Sequence, residues 1–125
     1  MKRLAVLVLA LGAATSHAQV DPDPWLGPDK ALHFTVSAAI AGVTYGTTSL
    51  FTESRPARIG VAAGVAFGAG IFKELLDLSG SGQPSWKDLA WDAMWTAFGV
   101  VVSWLLDVFV ITPLSQPPVS PPSTP

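Results

Sequence analysis

Apolar residues run almost unbroken through three stretches of this chain, near 34–52, 57–72 and 93–106, and ionisable residues collect at their edges. Apolarity on all sides, rather than along one stripe, predicts helices set in lipid or deep in a core. The first helix is expected over 31–51, with Asp29 as its N-cap. "FTESRPARIG" then makes a turn, where Arg55-Pro56 fits the favoured place of proline at a helix start. A second helix follows over about 56–78, and "SGSGQP" forms the second loop. Ser85, with Asp88 three residues later, has the spacing of a capping box and opens a third helix that runs to about Ile111.

The uncharged runs are 19 residues long in helix one (34–52), 14 in helix two between Arg58 and Lys73, and 14 in helix three between Asp92 and Asp107. A bilayer span takes about 17 to 25 residues, so these lengths lie at the lower margin. Trp86, Trp91, Trp95 and Trp104 suit interfacial belts. Gly60, Gly64 and Gly68 form a small-xxx-small seam, which lets helices approach closely in lipid. In water, each such glycine would cost helix two roughly 1 kcal/mol against alanine. The pattern favours three membrane spans. The competing reading is a soluble periplasmic bundle, attached to the membrane through its tryptophans.

The two termini read differently. Lys2 and Arg3, the apolar run Leu4 to Ala14, and Ser16-His17-Ala18 before Gln19 have the layout of a signal peptide over 1–18. At 11 residues its apolar run is too short to span, although an uncleaved anchor is the alternative. Residues 19–28, "QVDPDPWLGP", are an acidic linker in which prolines forbid helix. Residues 112–125 are a Pro/Ser-rich tail expected to be disordered. The expected fold is thus all-α: an up-down-up three-helix membrane bundle over 29–111, behind a signal peptide. Arg55 and Arg58 place the first turn in the cytoplasm and the acidic linker outside. The predicted location is the bacterial inner membrane, with the functional face toward the periplasm.

Composition narrows the partners. A chain of 125 residues is one small domain, and its 13% of charged residues lies well below the usual level of about 25%. Mean hydropathy is +0.45. No cysteine is present, which excludes disulfides, thiolate metal sites and a lipidated N-terminal cysteine. The net charge of −2 argues against nucleic acid. Removing Lys2 and Arg3 leaves 5 Lys+Arg against 9 Asp+Glu, or −4. Membrane lipids, and another envelope membrane protein, are the partners this composition suits.

An up-down-up bundle brings the start of helix one, the end of helix two and the start of helix three to the same end. Those places hold Asp29, Lys30, His33 and Ser37; Lys73, Glu74 and Asp77; and Ser85, Lys87, Asp88 and Asp92. Nothing comparable is expected at the other end. Asp29, His33 and Ser37 share one helix face, as do Asp88 and Asp92. Several of these have plain structural roles open to them: Asp29 and Ser85 as caps, Lys30 and Lys87 snorkelling to headgroups, and Lys73 paired with Asp77. Glu74, Asp92 and His33 are the catalytic candidates. Glu74 lies toward a helix C-terminus, where the macrodipole disfavours a carboxylate, and Asp92 lies a full turn past its cap. Asp29, Lys30, Asp77 and Asp88 are candidates for binding substrate. General acid–base work on a lipid-linked substrate fits this set. So does a magnesium or manganese site built from Glu74, Asp77, Asp88 and Asp92 with His33. Asp29, His33 and Ser37 include the residue types of a nucleophilic triad, but a single helix does not bring them into productive contact.

"DKALHFTVS", "KELLD" and "SWKDLAWDAMWTAFG" together resemble the YfiM-like family of periplasmic proteins, and more distantly the VanZ-like membrane proteins. The resemblance covers roughly residues 27–100 and assigns motif positions to Asp29, Lys30, His33, Glu74, Asp77, Ser85, Asp88 and Asp92. The lipobox cysteine of lipoprotein members is missing here. Two functional readings follow. In the first, the polar layer binds or processes a lipid or lipid-linked glycan headgroup. In the second, the chain is a non-enzymatic accessory subunit that docks through the glycine seam.

Overall fold

The structure is a computed structural model and describes residues 21–120. The expected signal peptide lies outside the described residues. Three long helices, α1 (Pro28–Thr48), α2 (Arg55–Leu76) and α3 (Trp86–Leu106), are followed by one short turn of helix, α4 (Thr112–Ser115). Among the described residues there is no strand.

Each helix end has a local cause. α1 starts with Gly27 as N-cap and Pro28 in its first turn, and no side chain caps it. Asp29, expected as the cap, lies inside the first turn instead, where a carboxylate still complements the helix dipole. Ser54 caps α2, its Oγ accepting the Ala57 N–H at 3.3 Å. Ser85 caps α3 as expected, accepting the Asp88 N–H at 3.2 Å. α2 is closed by Gly80, whose φ of 104° is the left-handed conformation that glycine adopts without a Cβ clash.

The third helix does not stop at Ile111. It widens into a π turn over Asp107–Ile111, in which the Thr112 N–H donates to the Asp107 carbonyl, and continues through α4 to Ser115. Pro113 follows this turn directly, and its missing N–H costs least where the regular ladder is already interrupted.

The helices run up-down-up, and α1 packs most extensively against α3. The interior is narrow. Its apolar core consists of Ala41, Tyr45, Ala62, Ala66 and Val100, with Ile40, Ile59 and Ala63 against it. Close approach replaces bulk: a Cβ on Gly99 would lie 2.7 Å from the Ala38 carbonyl oxygen and 3.0 Å from the Ala41 Cβ. Large apolar side chains point the other way, with Val36, Val43, Val65, Phe72, Phe98 and Val101 all exposed. Lys30, Arg58, Glu74, Asp88, Asp92 and Asp107 are buried. Polar inside and apolar outside is the reverse of the usual soluble arrangement.

Two helical stretches are long and apolar enough to cross a membrane: Arg55–Ser81, of 27 residues, and Trp86–Ser115, of 30. α1 is not among them. It has the length at 21 residues, but Asp29, Lys30, His33 and its threonines lower its apolarity. The expected three spans are therefore met by two helices on length and composition.

Candidate functional site

The charged residues at one end of the bundle interlock around Lys30 and Asp88. The Lys30 side chain is 4% exposed and pairs with Asp23 at 2.5 Å, with Asp29 at 2.9 Å, and with Asp88. It is clamped by carboxylates rather than snorkelling to the surface, which corrects that expectation. Asp88 also meets His33 Nε2 at 3.2 Å and Lys73 Nζ at 3.2 Å. Lys73 pairs with Asp77 at 2.8 Å, as its i,i+4 spacing suggested, and with Glu74 at 2.9 Å.

Asp92 lies one helical turn deeper. It is 2% exposed, and its Oδ1 takes the Ser37 hydroxyl at 2.7 Å and faces His33 Nδ1 at 3.1 Å. Its Oδ2 is buried with no hydrogen-bond partner among the described residues. That oxygen fits against α2 only because residue 70 is glycine, since a Cβ there would lie 2.4 Å from it. Beside this group is a cleft of about 230 Å³. Leu32, Val36, Ile40, Ala66 and Ala69 line its apolar part, and His33, Ser37, Lys73 and Asp92 its polar end.

The fold therefore brings His33, Asp88 and Asp92 together, with each imidazole nitrogen held against a carboxylate oxygen. Ser37 and His33 both meet Asp92 rather than each other, and Asp29 pairs with Lys30, so no nucleophilic triad forms. Glu74 is buried but does not line the cleft. Its Oε2 accepts the Ser85 N–H at 2.6 Å, which completes the start of α3 from a neighbouring helix. Asp77 sits with Lys73 at the rim. The expected metal set of Glu74, Asp77, Asp88 and Asp92 is laced with ammonium groups. The carboxylates that converge most closely are Asp23, Asp29 and Asp88, around Lys30.

Asp21, Asp23 and Trp25 were not among the sequence candidates, because a proline-broken acidic segment reads as a plain linker. In the structure this segment straps over the charged end. Asp23 meets Lys30 and the Ser85 hydroxyl, and Lys87 Nζ reaches Asp21 at 2.7 Å and the Asp23 carbonyl at 2.5 Å. Trp25 packs edge-on against Trp86, and its carbonyl accepts the Trp91 indole N–H at 2.9 Å. The Lys87 hydrogen bond holds the Asp21 carboxyl below its ordinary range, and the Lys30 and Ser85 hydrogen bonds do the same for Asp23.

The opposite end is not bare, contrary to expectation. Asp107, 4% exposed, accepts hydrogen bonds from Tyr45, Arg55, Arg58 and Thr112. In the sequence it marked only the end of an uncharged run. The π turn that begins at this residue is what carries Thr112 to it.

Comparison with protein-family models, with curated proteins and with solved structures finds no match to this chain.

Proposed function

We propose that this chain is a bacterial envelope membrane protein of the YfiM-like kind, which binds the hydroxyl-rich head of a lipid-linked glycan at its periplasmic end. The observation that carries this reading is Asp92: a buried carboxylate with one unpartnered oxygen, beside a cleft that is apolar along most of its length. Burying such a charge is costly, and within membrane segments it marks function by default. The unpartnered oxygen accepts, so a ligand in the cleft must donate to it as the carboxylate turns away from Gly70. Around it, the carboxylates of Asp23, Asp29, Glu74, Asp77, Asp88 and Asp92 outnumber the ammonium groups of Lys30 and Lys73. That balance favours sugar hydroxyls over a bare phosphate. The apolar wall gives the lipid chain a place to lie. If the bound head is processed, His33 is the group placed to move a proton.

Membrane insertion is supported by the exposed apolar shell and the two long apolar helices. The periplasmic position of the layer rests on Arg55 and Arg58 at the other end.

The test uses the full chain in nanodiscs, with a farnesyl disaccharide glycoside as probe against the free disaccharide and farnesol. The linked probe is expected to bind tightest. Asp92→Asn should weaken it about tenfold, the loss of one hydrogen bond to a charged group, while the melting temperature holds. Equal binding to wild type and variant would sink the reading.

The accessory-subunit reading has its own support. Gly60, Gly64 and Gly68 face outward, with nothing within 4 Å of a Cβ at any of them. Gly64→Leu separates the two, since it would block docking there without touching the cleft.

A further inference from the structure

We propose that the Arg55–Arg58 pair, at the end of the bundle opposite the charged layer, is a phosphate site. Asp107 alone does not account for two guanidinium groups. Its Oδ2 accepts from the Tyr45 hydroxyl at 2.9 Å, Arg58 Nη1 at 2.9 Å and Arg55 Nε at 3.3 Å, and its Oδ1 accepts from Thr112 at 3.1 Å. One buried carboxylate is thus fully satisfied, and it offsets only one of the two guanidinium charges. Glu53 offsets the other only through a loose, solvent-screened ion pair. Its side chain is fully exposed, and its oxygen stands 3.6 Å from Arg58 Nη2, beyond hydrogen-bond reach.

The spare donors face a common space. Arg55 uses Nε and Nη2, the latter on Thr112 at 2.9 Å, and Arg58 uses Nε on the Thr52 carbonyl and Nη1 on Asp107. Arg55 Nη1 and Arg58 Nη2 make no hydrogen bond among the described residues. Both arginines line a cavity of about 440 Å³ together with Glu53 and Asp107, and the Ser49, Ser103 and Thr112 hydroxyls beside them already donate to the Gly46 carbonyl, the Gly99 carbonyl and Asp107. The start of α2 adds its partial positive charge at the same place. Guanidinium forks match the planar spacing of phosphate oxygens, so Arg55 Nη1 and Arg58 Nη2 are the donors this site offers. Leu106 and Ile111 also line the cavity, so a diester with an acyl chain fits as well as a free ion.

The experiment is a thermal melt of the full chain in one neutral detergent. Phosphatidylglycerol, phosphatidylcholine or inorganic phosphate is added at matched ionic strength, with lipid retention read by native mass spectrometry. Phosphatidylglycerol is expected to raise the midpoint by a few degrees and to be retained about tenfold over phosphatidylcholine. Arg55→Gln should abolish both effects, and Arg55→Lys should restore only part of them. A rise with inorganic phosphate alone assigns the site to a free ion, and a rise with the lipid alone to a headgroup. Arg55 is part-exposed, so its variant should fold; if it does not, the wild-type shifts decide the matter. The proposal is overturned if neither phosphate source shifts the wild type, or if Arg55→Gln keeps the full response.

Discussion

Gly99 and Gly64 are chemically the same residue, each inside a long helix, and they should respond in opposite ways to a methyl group. At Gly99 the new Cβ meets the α1 backbone, which cannot swing aside. Gly99→Ala should force α1 and α3 apart and cost about 1–3 kcal/mol, the usual range for overpacking. At Gly64 nothing lies within 4 Å, so Gly64→Ala should gain about 1 kcal/mol from helix propensity. Melting of both variants in detergent checks the pair, and equal shifts would contradict the packing described here. Of the two, only Gly64 was singled out in the sequence, because x-x-x spacing is visible there and a single close crossing is not. The same limit applies to charge. His33, Asp88 and Asp92 were legible because i,i+4 spacing aligns them, whereas Asp23 lies on non-helical backbone and Asp107 opens a π turn.

The strap over residues 21–25 shows how an element can be misread when its partners lie far along the chain. Three of its contacts reach Ser85, Lys87 and Trp91, more than sixty residues away in sequence. Proline excluded helix correctly but could not indicate docking. Its hold should depend on pH. The carboxyls of Asp21 and Asp23 lie below their ordinary values when docked. Their contribution is therefore complete above the free-carboxylate value, near about pH 4, and is lost as pH falls through the docked values. The strap should stay closed at neutral pH and release in acid. The Trp91 indole N–H resonance, which reports the bond to the Trp25 carbonyl, should shift with that release. Lys87→Ala removes the main cause of the Asp21 depression, and should move the midpoint up toward the free value. A resonance that ignores pH down to the unfolding transition would show that the strap is held by the Trp25–Trp86 contact instead.

Taken whole, the molecule is a thin seam of small residues with a charged plug at either end. The acidic plug at one end and the arginine-rich plug at the other make the bundle electrically asymmetric along its axis. Long apolar sides, with net acidity at one end and both arginines offset by Glu53 and Asp107 at the other, suit a protein that crosses a bilayer in one direction, with arginine retained on the cytoplasmic side. The asymmetry is directly testable because the chain has no cysteine of its own. Ser81 and Glu53 are exposed, one at each end. Ser81→Cys should react with an impermeant maleimide in intact spheroplasts, and Glu53→Cys only after lysis. Labelling of both before lysis would place the whole chain on the outer side, as a peripheral bundle. The reverse pattern would put the acidic layer in the cytoplasm, where a periplasmic glycan headgroup could not reach Asp92. The phosphate site demands this same orientation only if its ligand is a lipid of the inner leaflet, since a free phosphate can approach from either side. Topology and lipid preference therefore constrain each other. A chain oriented as described, with Arg55 at the inner surface, has its acidic cleft and its arginine pair facing different leaflets, each with the charge that its proposed ligand requires.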